Sequence, residues 1–330
     1  MYLYFYYFSI PFLMISCVLI TLTSTPIFMW MIMELNLICF INIISIYKYS
    51  FSQILMNYFL INTFNSYLFL FSSLMTNMKF MNVTMNFIII ISLLSKMGMP
   101  PFQAWYINFM KHLNWNLFFM NSSIQKFIPL FIIYSITMKN NMYYLIYMIL
   151  ILTSIPIMAF NCHSMKIMMS FSSIIQMAWI MILMKFNEIM WFLFFMIYNL
   201  ISFSIIYMFK TMNLIFTFDL TSTKFNPKMT YNLNFLVLSL MSLPPFTGFM
   251  NKWMFMNYMS NEISYMYLFM MTLYTVMNVY FYSRIMIFNT LIYSSSTNLN
   301  VKNLNYKFNF MKLNLLLLIA MLFIYTYELI

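Results

Sequence analysis

Apolar residues run along this chain in long blocks divided by short polar clusters, without the sustained alternation a half-buried strand needs. Blocks of roughly 18 or more residues recur from end to end, the length a helix needs to cross the hydrocarbon core of a bilayer. Breaking the chain at the polar clusters predicts about eleven membrane helices, at 2–21, 25–46, 53–74, 82–103, 116–135, 142–160, 165–184, 188–209, 232–257, 262–285 and 311–328. The longest polar connections, 210–231 and 286–310, are rich in Asn, Ser, Thr and Lys and read as loops. A transmembrane barrel would need short alternating segments, which are absent. The pattern therefore predicts an all-α membrane protein.

Composition agrees. Of 330 residues, 64% are hydrophobic and 6% charged, against about 25% charged in soluble domains. So few charges could not cover a water-facing surface. The N-terminus has no basic region and no small-residue cleavage site, so the first block is expected to stay as a span. Cys17, Cys39 and Cys162 form no C-x-x-C pair, which argues against a disulfide framework or a zinc site. The 41 Met, 39 Phe and 26 Tyr contrast with four Ala and one Arg. Membrane helix packing favours small residues, so packing does not explain this usage. A+T-rich codons, and a code that reads an extra codon as Met, do explain it, and the gene is expected to be mitochondrial.

Basic residues orient the spans. Loops on the N-terminal side would hold Lys48, Lys111, Lys166, Lys210, Lys224, Lys228, Arg284, Lys302, Lys307 and Lys312, against Lys79, Lys139 and Lys185 opposite. The expectation is an N-terminus in the mitochondrial matrix and, after an odd number of spans, a C-terminus on the intermembrane-space side. The net charge of +11 then lies mostly at one leaflet. It points to anionic lipid such as cardiolipin and to no nucleic-acid partner.

Four ionisable groups fall inside or at breaks of the spans: Glu34, Lys96, Lys126 and Lys252. Each would cost about 2.5–3.5 kcal/mol at the centre of a lipid-exposed helix, so all must face a packed or hydrated interior. Salt bridges that fix helix register are the bland reading. It weakens because one carboxylate cannot neutralise three ammoniums. A row of buried lysines can instead exchange protons, with coupled titrations.

Two stretches sharpen this view. Ser95-Lys-Met-Gly-Met-Pro-Pro-Phe-Gln-Ala-Trp105 and Ser242-Leu-Pro-Pro-Phe-Thr-Gly-Phe-Met-Asn-Lys-Trp253 hold the chain's two glycines, Gly98 and Gly248. Each has a Pro-Pro-Phe and a lysine, in roughly reversed order. Proline and glycine should interrupt a membrane helix here, which is tolerated where the break is buried or lines a water-filled cavity. The first break falls in the fourth of spans one to five, the second in the fourth of spans six to ten. An odd number of helices inverts the second set, and paired broken helices mark an ion path in inverted repeats. The expected organisation is a five-helix repeat over 1–139, a second, inverted one over 140–290, and a loop with one C-terminal helix over 291–330.

These segments resemble the chain 2 family of animal mitochondrial NADH:ubiquinone oxidoreductase (complex I). The resemblance rests on Trp30-Met-Ile-Met-Glu34-Leu-Asn, Lys96-Met-Gly-Met-Pro-Pro-Phe-Gln-Ala-Trp105, Trp115 followed by Gln125-Lys126, Ser172-Ser-Ile-Ile-Gln-Met-Ala-Trp179 and Leu243-Pro-Pro-Phe-Thr-Gly-Phe-Met-Asn-Lys-Trp253, in the family's order. It implies an antiporter-like subunit of the membrane arm that contributes to proton translocation coupled to NADH-to-ubiquinone electron transfer. It also implies a carboxylate–lysine pair in Glu34 and Lys96, a central lysine in Lys126 and the lysine of the second broken helix in Lys252. Partners would be other membrane-arm subunits. The complex uses FMN, iron–sulfur clusters, NADH and ubiquinone, but no nucleotide motif or cysteine cluster is present for them on this chain. His112 and His163 are too few for the several haem ligands of other respiratory membrane subunits. One departure is Gln176, where related sequences often have His; glutamine cannot titrate but can hold water. The alternatives are a structural assembly subunit without its own proton path, and a free-standing cation/proton antiporter.

Overall fold

The computed structural model describes residues 2–47, 52–77, 82–137, 154–184, 188–222, 227–244, 246–260 and 265–295. Among them the fold is helical, without strands apart from one isolated bridge between Ser164 and Phe216. Lipid dictates this, since a spanning segment must satisfy its backbone groups internally. Five stretches are long and apolar enough to cross a membrane among the described residues: Pro26–Ile46, Gln53–Thr76, Trp115–Ser135, Met165–Leu183 and Ile189–Thr211. The chain divides into two compact units, Met1–Asn140 and Asn141–Ile330.

The first unit contains α1 (Tyr2–Leu22), α2 (Pro26–Tyr47), α3 (Ser52–Asn77), α4 (Asn82–Met97), α5 (Gln103–His112), α6 (Trp115–Ser122) and α7 (Ile124–Thr137). Helices α1 to α4 pack in chain order, and α7 lies against α1, α2 and α4. Two expected spans are interrupted. The span over 82–103 stops at Met97, and a second half-helix, α5, carries the chain on to His112. Lys111 therefore ends a helix and does not sit in a loop.

The expected continuous span over 116–135 is divided at Ser123. The Ser122 and Ser123 hydroxyls both donate to the Phe119 carbonyl, at 3.0 and 2.6 Å. Such back-bonding loosens and bends a helix. Pro129, inside α7, has no N–H to offer the Gln125 carbonyl. Lys126 sits between these two weak points.

The second unit contains α8 (Met165–Leu183), α9 (Glu188–Thr211), α10 (Asp219–Ser222), α11 (Pro227–Met241), α12 (Thr247–Ser260) and α13 (Tyr265–Ser295), and residues 154–159 are also helical. Helix α8 is buried without a gap from Met168 to Leu183, with the Ser170, Ser172 and Ser173 hydroxyls donating to carbonyls of their own helix. Helix α9 packs on α8, α11 and α12, while α13 packs on α10, α11 and α12. Here too the expected boundaries shift. Residues 210–231 are not all loop, because α10 lies within them and α11 starts at Pro227, a residue suited to a first helical position. Helix α13 runs on to Ser295, past the expected end at 285, with no proline or glycine to stop it. The eleventh expected span, 311–328, and most of the sixth, 142–160, lie outside the described residues.

Candidate functional site

The breaks are built by one backbone motif. At the end of α4, Gly98 N–H donates to the Ser95 carbonyl (3.1 Å) and Met99 N–H to the Leu94 carbonyl (3.0 Å), with Gly98 at φ +70°. This is a Schellman cap, whose left-handed residue satisfies the last carbonyls of the helix. At the end of α11, Ser242 N–H donates to Ser239 (3.2 Å) and Leu243 N–H to Leu238 (3.5 Å), with Ser242 at φ +56°. The motif is the same, but the left-handed residue is a serine, at a cost of about 1–2 kcal/mol relative to glycine. Superposing Gly98 on Ser242 aligns Ser95-Lys-Met-Gly-Met-Pro-Pro-Phe102 with Ser239-Leu-Met-Ser-Leu-Pro-Pro-Phe246. The two stretches thus run in the same order, which corrects the reading of them as reversed.

The two glycines do different work. A Cβ on Gly98 would lie 2.3 Å from Tyr106 Cβ, so Gly98 both turns the chain and lets α5 fold back against the break. Gly248 lies in the first turn of α12, where a Cβ would come 1.9 Å from the Ser239 carbonyl oxygen. It allows close approach of α12 to α11 and does not make the turn.

In the first unit, the structure brings three of the expected residues near one another. Glu34, on α2, accepts a hydrogen bond from Ser66 Oγ on α3. Lys96 Nζ is buried and makes no hydrogen bond, and Glu34 acts on it electrostatically without direct contact. The expected carboxylate–lysine pair is thus a coupling across a gap, with Ser66 as the carboxylate's contact partner. Residues two apart on a helix point to nearly opposite sides, so Asn36 faces α7. It exchanges two hydrogen bonds with Gln125, at 2.7 and 3.3 Å.

Next to Gln125, Lys126 is fully buried, with Nζ 4.4 Å from the centre of the Tyr106 ring. That contact offsets part of the cost of burying an ammonium. Lys96 and Lys126 line one cavity with Asn36, Tyr58, Asn62, Tyr106, Asn121 and Gln125, with an empty volume of about 420 Å³. Met33, Leu37, Met97 and Ile128 complete a lining of mixed character, and the cavity has room for a water molecule. Across the break, Trp105 Nε1 donates to the Ser95 carbonyl at 3.0 Å and pins α5 to α4.

In the second unit, Lys252 is buried on α12 and donates to the Ser242 hydroxyl. Its ammonium lies 5.8 Å from the centre of the Trp179 ring on α8, and that ring is set edge-on by Phe255 at 4.6 Å. No carboxylate among the described residues acts on it. Gln176 is buried on α8 and lines a cavity with Tyr198, Ser242 and Asn251.

Sequence reasoning missed Ser66, Tyr106, the Asn36–Gln125 pair and Ser242. For Ser242 the signal was present in the aligned Met-Ser-Leu-Pro-Pro-Phe; for Ser66 and Tyr106 it was not, since both act through tertiary packing. Among the described residues no cluster of three or more His, Cys, Asp or Glu could hold a metal ion.

The profile of the NADH:quinone oxidoreductase/Mrp antiporter membrane family matches residues 24–279. The NADH-ubiquinone oxidoreductase chain 2 of Aedes aegypti is 34% identical over 286 residues, covering 82% of this chain and 82% of its own. That of Anopheles gambiae is 30% identical over 273 residues, covering 78% of this chain and 77% of its own. A chain of respiratory complex I from Thermus thermophilus superposes with a TM-score of 0.77 over 96% of this chain and 76% of that one, at 12% identity, which shows a shared fold. The chain therefore belongs to the NADH-ubiquinone oxidoreductase chain 2 family, the antiporter-like membrane subunits of respiratory complex I.

Proposed function

We propose that this subunit carries protons across the mitochondrial inner membrane, driven by the NADH-to-ubiquinone electron transfer of the complex. Glu34, Lys96, Lys126 and Lys252 hold and pass the proton. The observation that carries this reading is that Lys96 and Lys126 line the same cavity, with Glu34 acting on Lys96. Two buried ammoniums around one small cavity repel each other, so a proton gained at one favours loss at the other. The loosened backbone on either side of Lys126 allows its side chain to re-aim between partners.

In this reading Glu34 and Lys96 open and close their coupling as charge changes at one end of the subunit. The proton then moves by way of Lys126 towards Lys252. The two breaks would mark two inverted five-helix repeats, over 1–139 and 140–290, in a chain of eleven spans whose residues 291–330 add a loop and a last helix. The N-terminus would face the matrix and the C-terminus the intermembrane space. Neighbouring membrane-arm subunits and an anionic lipid such as cardiolipin would cover its apolar outer faces, such as Phe8, Phe28 and Phe64. FMN, iron–sulfur clusters, NADH and ubiquinone would be bound elsewhere in the complex, and no nucleic acid would be a partner.

The test is Lys126→Ala or Lys252→Ala in the assembled complex. The expected result is normal assembly with a lowered proton-to-electron ratio and slowed coupled NADH oxidation. A normal ratio in both variants would overturn the reading.

A further inference from the structure

We propose that Ser242 is a positioning residue for Lys252: its hydroxyl, carried on the left-handed residue that ends α11, holds the ammonium at the break and faces it towards the cavity beside Gln176. The inference rests on the reading of Lys252 as a proton carrier.

Three observations support it. First, the backbone at Ser242 is one that glycine adopts most easily, and the equivalent residue of the first break is glycine. A side chain is present here at a conformational cost, and the cap itself does not need it, because both capping bonds are made by backbone groups. Second, the hydroxyl is buried and fully engaged. It accepts from Lys252 Nζ and donates to the Met241 carbonyl at 2.5 Å. The donated bond fixes the hydroxyl proton, so a lone pair is turned to the ammonium. Third, Ser242 lines a cavity with an empty volume of about 260 Å³, together with Gln176, Tyr198, Ser239 and Asn251. Besides Ser242 these four residues bring polar groups to a cavity that Phe194, Ile201 and Leu240 also line, so the serine connects the lysine to that space on the α8 side. No carboxylate among the described residues does this for Lys252.

Glycine separates the two roles of the position. Ser242→Gly keeps or improves the cap while deleting the hydroxyl. Membrane vesicles holding the assembled complex would be measured for complex content, NADH oxidation and proton-to-electron ratio, with Lys252→Ala beside it. The expected result for Ser242→Gly is wild-type complex content and a ratio lowered by at least half the Lys252→Ala deficit. Ser242→Asn, which tolerates the left-handed region and offers an amide oxygen, should recover part of the loss. The double variant Ser242→Gly/Lys252→Ala should match Lys252→Ala alone, since both act through one group.

A normal ratio in Ser242→Gly with a lowered one in Lys252→Ala overturns the role of Ser242 and leaves that of Lys252. Normal ratios in both overturn the underlying reading as well. Failure of Ser242→Gly to assemble, no recovery with Asn, or a double variant worse than Lys252→Ala each assigns the hydroxyl another task and overturns the proposal.

Discussion

The two helix breaks share a backbone and differ in chemistry. Both end the arriving half-helix with the same pair of hydrogen bonds and follow it with Pro-Pro-Phe. Around the first, Lys96 lies on the arriving half, two residues before the left-handed Gly98, and its ammonium makes no hydrogen bond. Around the second, Lys252 lies on the departing half, ten residues after the left-handed Ser242, and is bonded to it. The break is therefore a scaffold that opens a helix inside the membrane. It does not dictate where the charge sits or what holds it. The first lysine feels a carboxylate that it does not touch, and the second is hydrogen-bonded to a neutral hydroxyl. In the proposed relay the two lysines would differ accordingly, since Lys96 feels the charge of Glu34 and Lys252 is held by a neutral group.

This contrast can be broken in stages. The largest effect is expected from Gly248→Ala, which would put a methyl group 1.9 Å from a backbone carbonyl. Neither half-helix can yield easily, and the assembled complex should be absent from native gels. Gly98→Ala comes next, with a Cβ 2.3 Å from Tyr106 Cβ on a backbone at φ +70°. A loss on the order of 3 kcal/mol is expected, seen as a severalfold drop in complex content. Tyr106→Leu should be milder for assembly but felt in function. It removes the ring 4.4 Å from Lys126, a contact of about 1–2 kcal/mol, and should lower the proton-to-electron ratio with complex content near normal. The smallest effect belongs to Ala104→Gly, the first-break counterpart of Gly248. It should cost about 0.5–1 kcal/mol through helix propensity alone and leave pumping unchanged. If Ala104→Gly proved as damaging as Gly248→Ala, the two breaks would not be in the register described above.

Much of this was legible in the sequence. Apolar run length located α1, α2, α3, α8 and α9 to within a few residues, because in lipid such a run has little choice but helix. The Pro-Pro pairs located both breaks, and glycine marked the turn of the first alone. The interruption at Ser123 was not read, because a Ser-Ser pair is neutral until its hydroxyls choose the Phe119 carbonyl over other partners. The end of α13 was misplaced because polar residues in the sequence after 285, such as Asn289 and Thr290, were read as loop, although a helix can run past the hydrocarbon. A charge inside an apolar run announces itself through its cost, and Glu34, Lys96, Lys126 and Lys252 were singled out as candidates that way. Their neutral partners were not. A serine or tyrosine in a membrane helix carries no comparable penalty, and its role appears only when another helix is laid against it.

One consequence follows from the unbroken burial of α8. Elsewhere many large apolar side chains lie on exposed faces, as with Phe28, Met31 and Leu35 on α2. Among the described residues of this chain nothing constrains the shape of such side chains. From Met168 to Leu183 no side chain has that freedom: each meets a neighbour on whatever side it points, and close-packed interiors register even one methylene. Along α8, then, shape narrows the choice of residue in a way that apolar character alone does not.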